Sequence, residues 1–64
     1  MVTINGESKD AAGNDLKDYL ESMGFDLMKI VVEKNLEIIP REELGKHVIK
    51  DGDTIEVLRF VGGG

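Results

Sequence analysis

Few residues in this 64-residue chain are equipped for chemistry. His47 is the only histidine and cysteine is absent. No nucleophile stands with His47 in a serine–histidine–acid pattern, so it has nothing to activate and reads as a loop residue. Without thiols there is no cysteine-based metal site. The acidic pairs Glu42-Glu43 and Asp51/Asp53 fall in turn sequence. Acid–base work needs a cleft that drives two carboxyl pKa values apart, and these pairs read as solvated turn residues. Asp51-Gly52-Asp53 lacks the further ligands and closing glutamate of a calcium loop, and Gly6, Gly13 and Gly24 form no phosphate loop. What remains is Val61-Gly62-Gly63-Gly64. Read with Gly64 as the last residue, its carboxylate is carried on three residues that have no Cβ. Such a tail can enter a channel too narrow for any side chain. A carboxylate is inert toward acyl transfer until a nucleotide activates it; the acyl adenylate is then open to a sulfur or nitrogen nucleophile. With no phosphate loop and no thiol in the chain, both activation and sulfur are expected from partners.

Size and charge narrow the field. A chain this short makes one domain and buries only about 60% of the surface its unfolded form exposes. Little space is expected for an active-site cavity of roughly 300 Å³ or more beside the core, which argues against a self-sufficient enzyme. The net charge of −5 disfavours nucleic acid, whose binders need a basic face. The first residues lack the basic and apolar regions of a secretory signal, and no apolar run approaches a membrane span. A cytoplasmic monomer is the expectation, with residues 1–61 as the domain and 62–64 as a flexible tail.

The elements that must hold the tail follow from periodicity. Val2-Thr3-Ile4 alternates as a half-buried strand. Asn5-Gly6 favours the type I′ turn of a hairpin, with Glu7–Asp10 as a polar return strand. Asn14 or Asp15 caps a helix whose Leu16, Tyr19, Leu20 and Met23 share one face. Gly24 ends it, and Phe25 folds back onto it. Lys29–Glu33 is β-branched and reads as a central strand; Lys34-Asn35 turns into a short strand, Leu36–Ile39. Pro40 opens a helical turn, and Asp51-Gly52-Asp53 turns into the last strand, Thr54–Val61. A right-handed crossover is expected to set the strand after the helix beside the first and parallel to it. The last strand is expected beside strand one, mid-sheet. In that strand Ile55 and Val57 hold one phase while Leu58 and Phe60 hold the other. Either a bulge shifts the phase, or Leu58 and Phe60 form an apolar patch on the face away from the helix, of the kind that marks a protein contact.

A hairpin, one helix and further strands resemble the β-grasp arrangement, an α+β fold with a mixed sheet of four to five strands around one main helix. Asn5-Gly6, Ala11-Ala12, Val32-Glu33-Lys34-Asn35, Ile39-Pro40-Arg41-Glu42, Asp51-Gly52-Asp53 and Phe60-Val61-Gly62-Gly63-Gly64 together resemble the ThiS family. These are ubiquitin-like sulfur carriers of thiamine (thiazole) biosynthesis, and the resemblance covers essentially the whole chain. It implies that an E1-like adenylyltransferase uses ATP to adenylate Gly64. A cysteine desulfurase-derived persulfide or another sulfur donor then makes the thiocarboxylate, and thiazole synthase takes the sulfur. The family's Gly-Gly end maps onto Gly63 and Gly64; Gly62 is an additional small residue. Partner-binding residues would be Gly62, Gly63, Gly64, Phe60 and Leu58, with no cofactor or metal bound to the carrier itself. The same chemistry would serve a carrier for molybdopterin, cysteine or tRNA thiolation. A lysine attacking activated Gly64 would make a protein modifier instead, and a plain interaction module would make no use of the tail.

Overall fold

The computed structural model describes residues 1–60, so the expectations for Val61–Gly64 lie outside the described residues. Among those described, the chain forms β1 (Val2–Ile4), β2 (Glu7–Lys9), α1 (Leu16–Ser22), β3 (Ile30–Lys34), β4 (Glu37–Ile39) and β5 (Thr54–Arg59). Two 3-10 turns, Leu27–Lys29 and Arg41–Lys46, join them. The strands make one sheet in the order β2-β1-β5-β3-β4. β5 runs parallel to β1 and antiparallel to β3. The crossover expectation is corrected here: β3 is neither beside β1 nor parallel to it. After α1 the Leu27–Lys29 turn redirects the chain, and β5 takes the place beside β1.

Local chemistry sets each boundary. Asn5 and Gly6 both have positive φ, 50° and 80°, as a type I′ turn requires. Asp15 caps α1 by accepting a hydrogen bond from the Asp18 amide. The helix ends in a Schellman motif. The Gly24 amide donates to the Glu21 carbonyl and the Phe25 amide to the Leu20 carbonyl, with Gly24 at φ 90°. Met23, expected in the core stripe, is instead the C-cap and partly exposed, because the helix closes before its side chain can reach the sheet. The second turn also differs from expectation. Asn35 and Leu36 both have positive φ, 52° and 71°, so Leu36 is a turn residue, 90% exposed, and β4 begins at Glu37.

The core fills the space between α1 and one sheet face. Leu16 and Leu20 of α1 meet Val2 and Ile4 of β1, Ile30 and Val32 of β3, and Ile55 and Val57 of β5. Leu44 and Ile49 close the open end, while Tyr19 and Phe25 pack at its margin. Burying each such side chain fully contributes about 1.5–3 kcal/mol. No helix among the described residues is long and apolar enough to cross a membrane.

Candidate functional site

β5 is the strand that leads into the glycine end, and its root is fixed by more than sheet pairing. Asp53, just before it, is buried, not the solvated turn residue expected. Its carboxylate accepts from the Lys50 amide at 2.9 Å and from Asn35 Nδ2 at 3.0 Å, with Lys34 Nζ 3.7 Å away. Burial alone would raise the Asp53 carboxyl pKa. The Lys50 and Asn35 hydrogen bonds and the nearby lysine charges outweigh it and hold the pKa below the usual value. Asn35 completes the clamp, since its backbone and side chain both bond Thr54. The β3–β4 turn is thus pinned to the first residue of β5. Asp51, by contrast, is exposed and pairs with the Met1 amino group.

The phase question in β5 resolves in favour of the patch. Pairing with β3 runs without a bulge from Lys34 opposite Ile55 to Ile30 opposite Arg59. Ile55 and Val57 face the core, whereas Leu58 is 53% and Phe60 54% exposed. Register adds neighbours that periodicity could not supply. Val31 lies opposite Leu58, and Ile38 of β4, 65% exposed, lies opposite Glu33. Residues directly opposed share a face, so Leu58, Val31, Phe60 and Ile38 populate the outer face together. Glu33 and Glu56 stand opposed between them, a like-charge pairing that costs a fraction of a kcal/mol. The face is therefore apolar with an acidic centre.

On the inner phase Arg59 lies over the Phe25 ring, 4.8 Å from its centroid, a cation–π contact. The last described backbone bond of the strand is from the Phe60 amide to the Lys29 carbonyl, 2.9 Å.

The other candidates do not assemble a catalytic centre. His47 Nδ1 is 3.4 Å from Lys34 Nζ, with no hydroxyl nucleophile in reach among its bonded partners. Glu43 pairs with Lys46 at the surface. Among the described residues no His, Asp and Glu cluster is placed to hold a metal. Space is less scarce than the chain length suggested. An open surface cleft of about 550 Å³ lies between α1 and the 3-10 turns, bordered by Lys17, Glu21, Leu27, Arg41 and Glu42. Short turns, rather than secondary elements, cover that side of the helix, which leaves the space open. The cleft contains neither the histidine nor a hydroxyl side chain.

A small helix grasped by a mixed sheet, with the central strand parallel to the first, defines a ubiquitin-like β-grasp protein. Residues 2–64 match the family described as "ThiS family", and the chain belongs to it. It is similar to the "Sulfur carrier protein ThiS" of Thermus thermophilus, 38% identical over 64 residues and covering both chains completely. The "Thiazole synthase" of Paramagnetospirillum magneticum is 38% identical over 64 residues; the match takes in 98% of this chain but only 20% of that protein's length. Among solved structures, the thiamine biosynthesis protein (ThiS) from Geobacter metallireducens superposes with a TM-score of 0.78 at 33% identity, covering 98% of this chain and 97% of that one.

Proposed function

We propose that this protein carries sulfur for thiazole formation in thiamine biosynthesis, as a substrate of partner enzymes in the cytoplasm. The observation that carries the reading is the family match, which runs from residue 2 through Gly64 and so includes the glycine end. An E1-like adenylyltransferase joins the Gly64 carboxylate to the AMP moiety of ATP, with pyrophosphate leaving. A sulfur donor, a cysteine desulfurase-derived persulfide or another source, then displaces AMP at the carbonyl carbon. From a persulfide this gives an acyl disulfide; a further thiol on a partner enzyme cleaves its S–S bond, leaving a disulfide with the donor sulfur and a thiocarboxylate whose sulfur passes to thiazole synthase. The carrier holds no ATP; the nucleotide belongs to the activating enzyme. Gly62, Gly63 and Gly64 thread the partner's channel because no Cβ obstructs it. Leu58 and Phe60 give the partner an apolar landing next to the tail, and the acidic Glu33–Glu56 centre favours a basic counterpart.

The test is the intact mass of the protein after incubation with the adenylating enzyme of the same organism, ATP and a sulfur donor. Exchange of one oxygen for sulfur at the C-terminus is expected, and its absence refutes the reading. Removing Gly63-Gly64 should abolish the exchange while leaving unfolding free energy within about 0.5 kcal/mol of the parent, as for surface changes that touch no packed group.

A further inference from the structure

β5 is central in the sheet only for part of its length. β1 pairs with it at Thr3–Thr54 and Ile4–Ile55 and then turns away at Asn5. Backbone groups of a strand alternate sides. The even-numbered residues of β5 bond toward β3, as the Asn35–Thr54 and Phe60–Lys29 bonds show. The odd-numbered ones face the side that β1 has left. There the Val57 amide is met by the Asn5 side-chain oxygen at 2.7 Å. The Val57 carbonyl and the Arg59 amide and carbonyl follow, and none of the three has a hydrogen-bond partner among the described residues. A groove of about 450 Å³ runs along them, lined by Asn5, Phe25, Val57, Leu58 and Arg59.

We infer that this half-edge of β5 is a docking edge that receives an extended backbone segment of thiazole synthase, continuing the line of β1 past Asn5. The inference rests on the sulfur-carrier reading. Acceptor, donor and acceptor recur here at the two-residue spacing of a strand, about 6.7 Å. Another extended chain presents the complement to that pattern, by strand addition. The partner must also come this close. Five residues separate Arg59 from Gly64, and they reach at most about 18 Å, so a protein that takes up the carboxylate is brought within that distance of the end of β5. Thiazole synthase is the occupant because proteins of that name carry a stretch like 98% of this chain within a longer polypeptide. A tether of that kind holds the two at high effective concentration. An edge left open in a small acidic domain is otherwise a liability for self-association, which gives a reason for it to be covered in the working complex.

The edge is read directly by amide hydrogen exchange in the full chain, free and saturated with thiazole synthase of the same organism. In the free protein the Arg59 amide should exchange fast while those of Leu58, facing β3, and Phe60, bonded to the Lys29 carbonyl, are protected. In the complex Arg59 should gain at least about tenfold protection. Backbone N-methylation at Arg59, introduced by chemical synthesis, should leave the melting temperature unchanged, since that amide faces away from β3. It should weaken binding about tenfold or more, the cost of one lost hydrogen bond and a blocked approach. Binding with the Arg59 amide still unprotected overturns the docking edge and leaves the carrier reading intact, which the C-terminal mass exchange tests separately. Arg59 protection that grows with concentration of the carrier alone assigns the edge to a second copy and also overturns it. Failure of the native protein to bind thiazole synthase at all removes both the edge and that enzyme as sulfur acceptor.

Discussion

From Thr54 to Val57, β5 lies against β1 or its Asn5 cap on one side and β3 on the other; from Leu58 to Phe60 its backbone pairs only on the β3 side. The first half buries Ile55 completely and Val57 nearly so, and its root is clamped by Asp53 and Asn35. The second half turns Leu58 and Phe60 to the outside, leaves backbone groups open and ties its one inner side chain, Arg59, to the rim residue Phe25. One continuous strand therefore serves two ends. The anchored half supplies rigidity, and the open half supplies surface just ahead of the glycines. The proposed carrier role has use for both, a base that does not yield and a surface beside it for a partner.

Substitutions should separate the halves. The largest effect is expected at Ile55→Ala, where a fully buried side chain between three strands is cut back. A loss of about 2–5 kcal/mol in a domain this small should unfold much of the population, as read by denaturant titration. Next comes Asp53→Ala, which strands the Lys50 amide, the Asn35 amide and the Lys34 ammonium. We expect about 2–3 kcal/mol, together with a changed acid limb. The folded-state pKa of Asp53 lies below its unfolded value of about 3.9. Its contribution is thus fully present above that value and is lost as pH falls through the folded pKa. The variant should lack this part of the acid-induced loss of stability below about pH 4. The smallest effect on stability belongs to the open half. Leu58→Ser with Phe60→Ser should shift unfolding by no more than about 0.5 kcal/mol each yet slow adenylation at sub-saturating partner. A cost at Leu58 and Phe60 comparable to that at Ile55 would erase the distinction between the halves.

Much of this arrangement was legible in the residues. The Asn5-Gly6 turn, the capped helix with Leu16 and Leu20 inward and the Gly24 reversal follow from local rules whose period or dihedral demand is short-range, while the mid-sheet place of the last strand came with the β-grasp resemblance. The two phases of β5 were visible as well, but not which alternative held. That depended on β3 pairing without a bulge, a matter of register between segments more than twenty residues apart. Val31, Ile38 and the opposed Glu33 and Glu56 were missed as part of the outer face for the same reason. The only available signal was their phase, opposite to Val32 and Ile39, and phase acquires a face only when strands are paired. Asp53 was misread because a carboxylate in an Asp-Gly-Asp turn ordinarily faces water. Its burial is imposed by Lys34 and Asn35, which arrive from the other hairpin.

Sequence by itself therefore determined the parts list: which segments become strands or helix, and where they stop. Those are consequences of backbone sterics and of hydrophobic periodicity, which act within a few residues. Tertiary structure alone decided that β5 outruns β1, that its far half has an open side, and that its root is clamped by a buried aspartate. Hydrogen-bond partners and burial are properties of pairs of segments, and no single stretch of chain contains them.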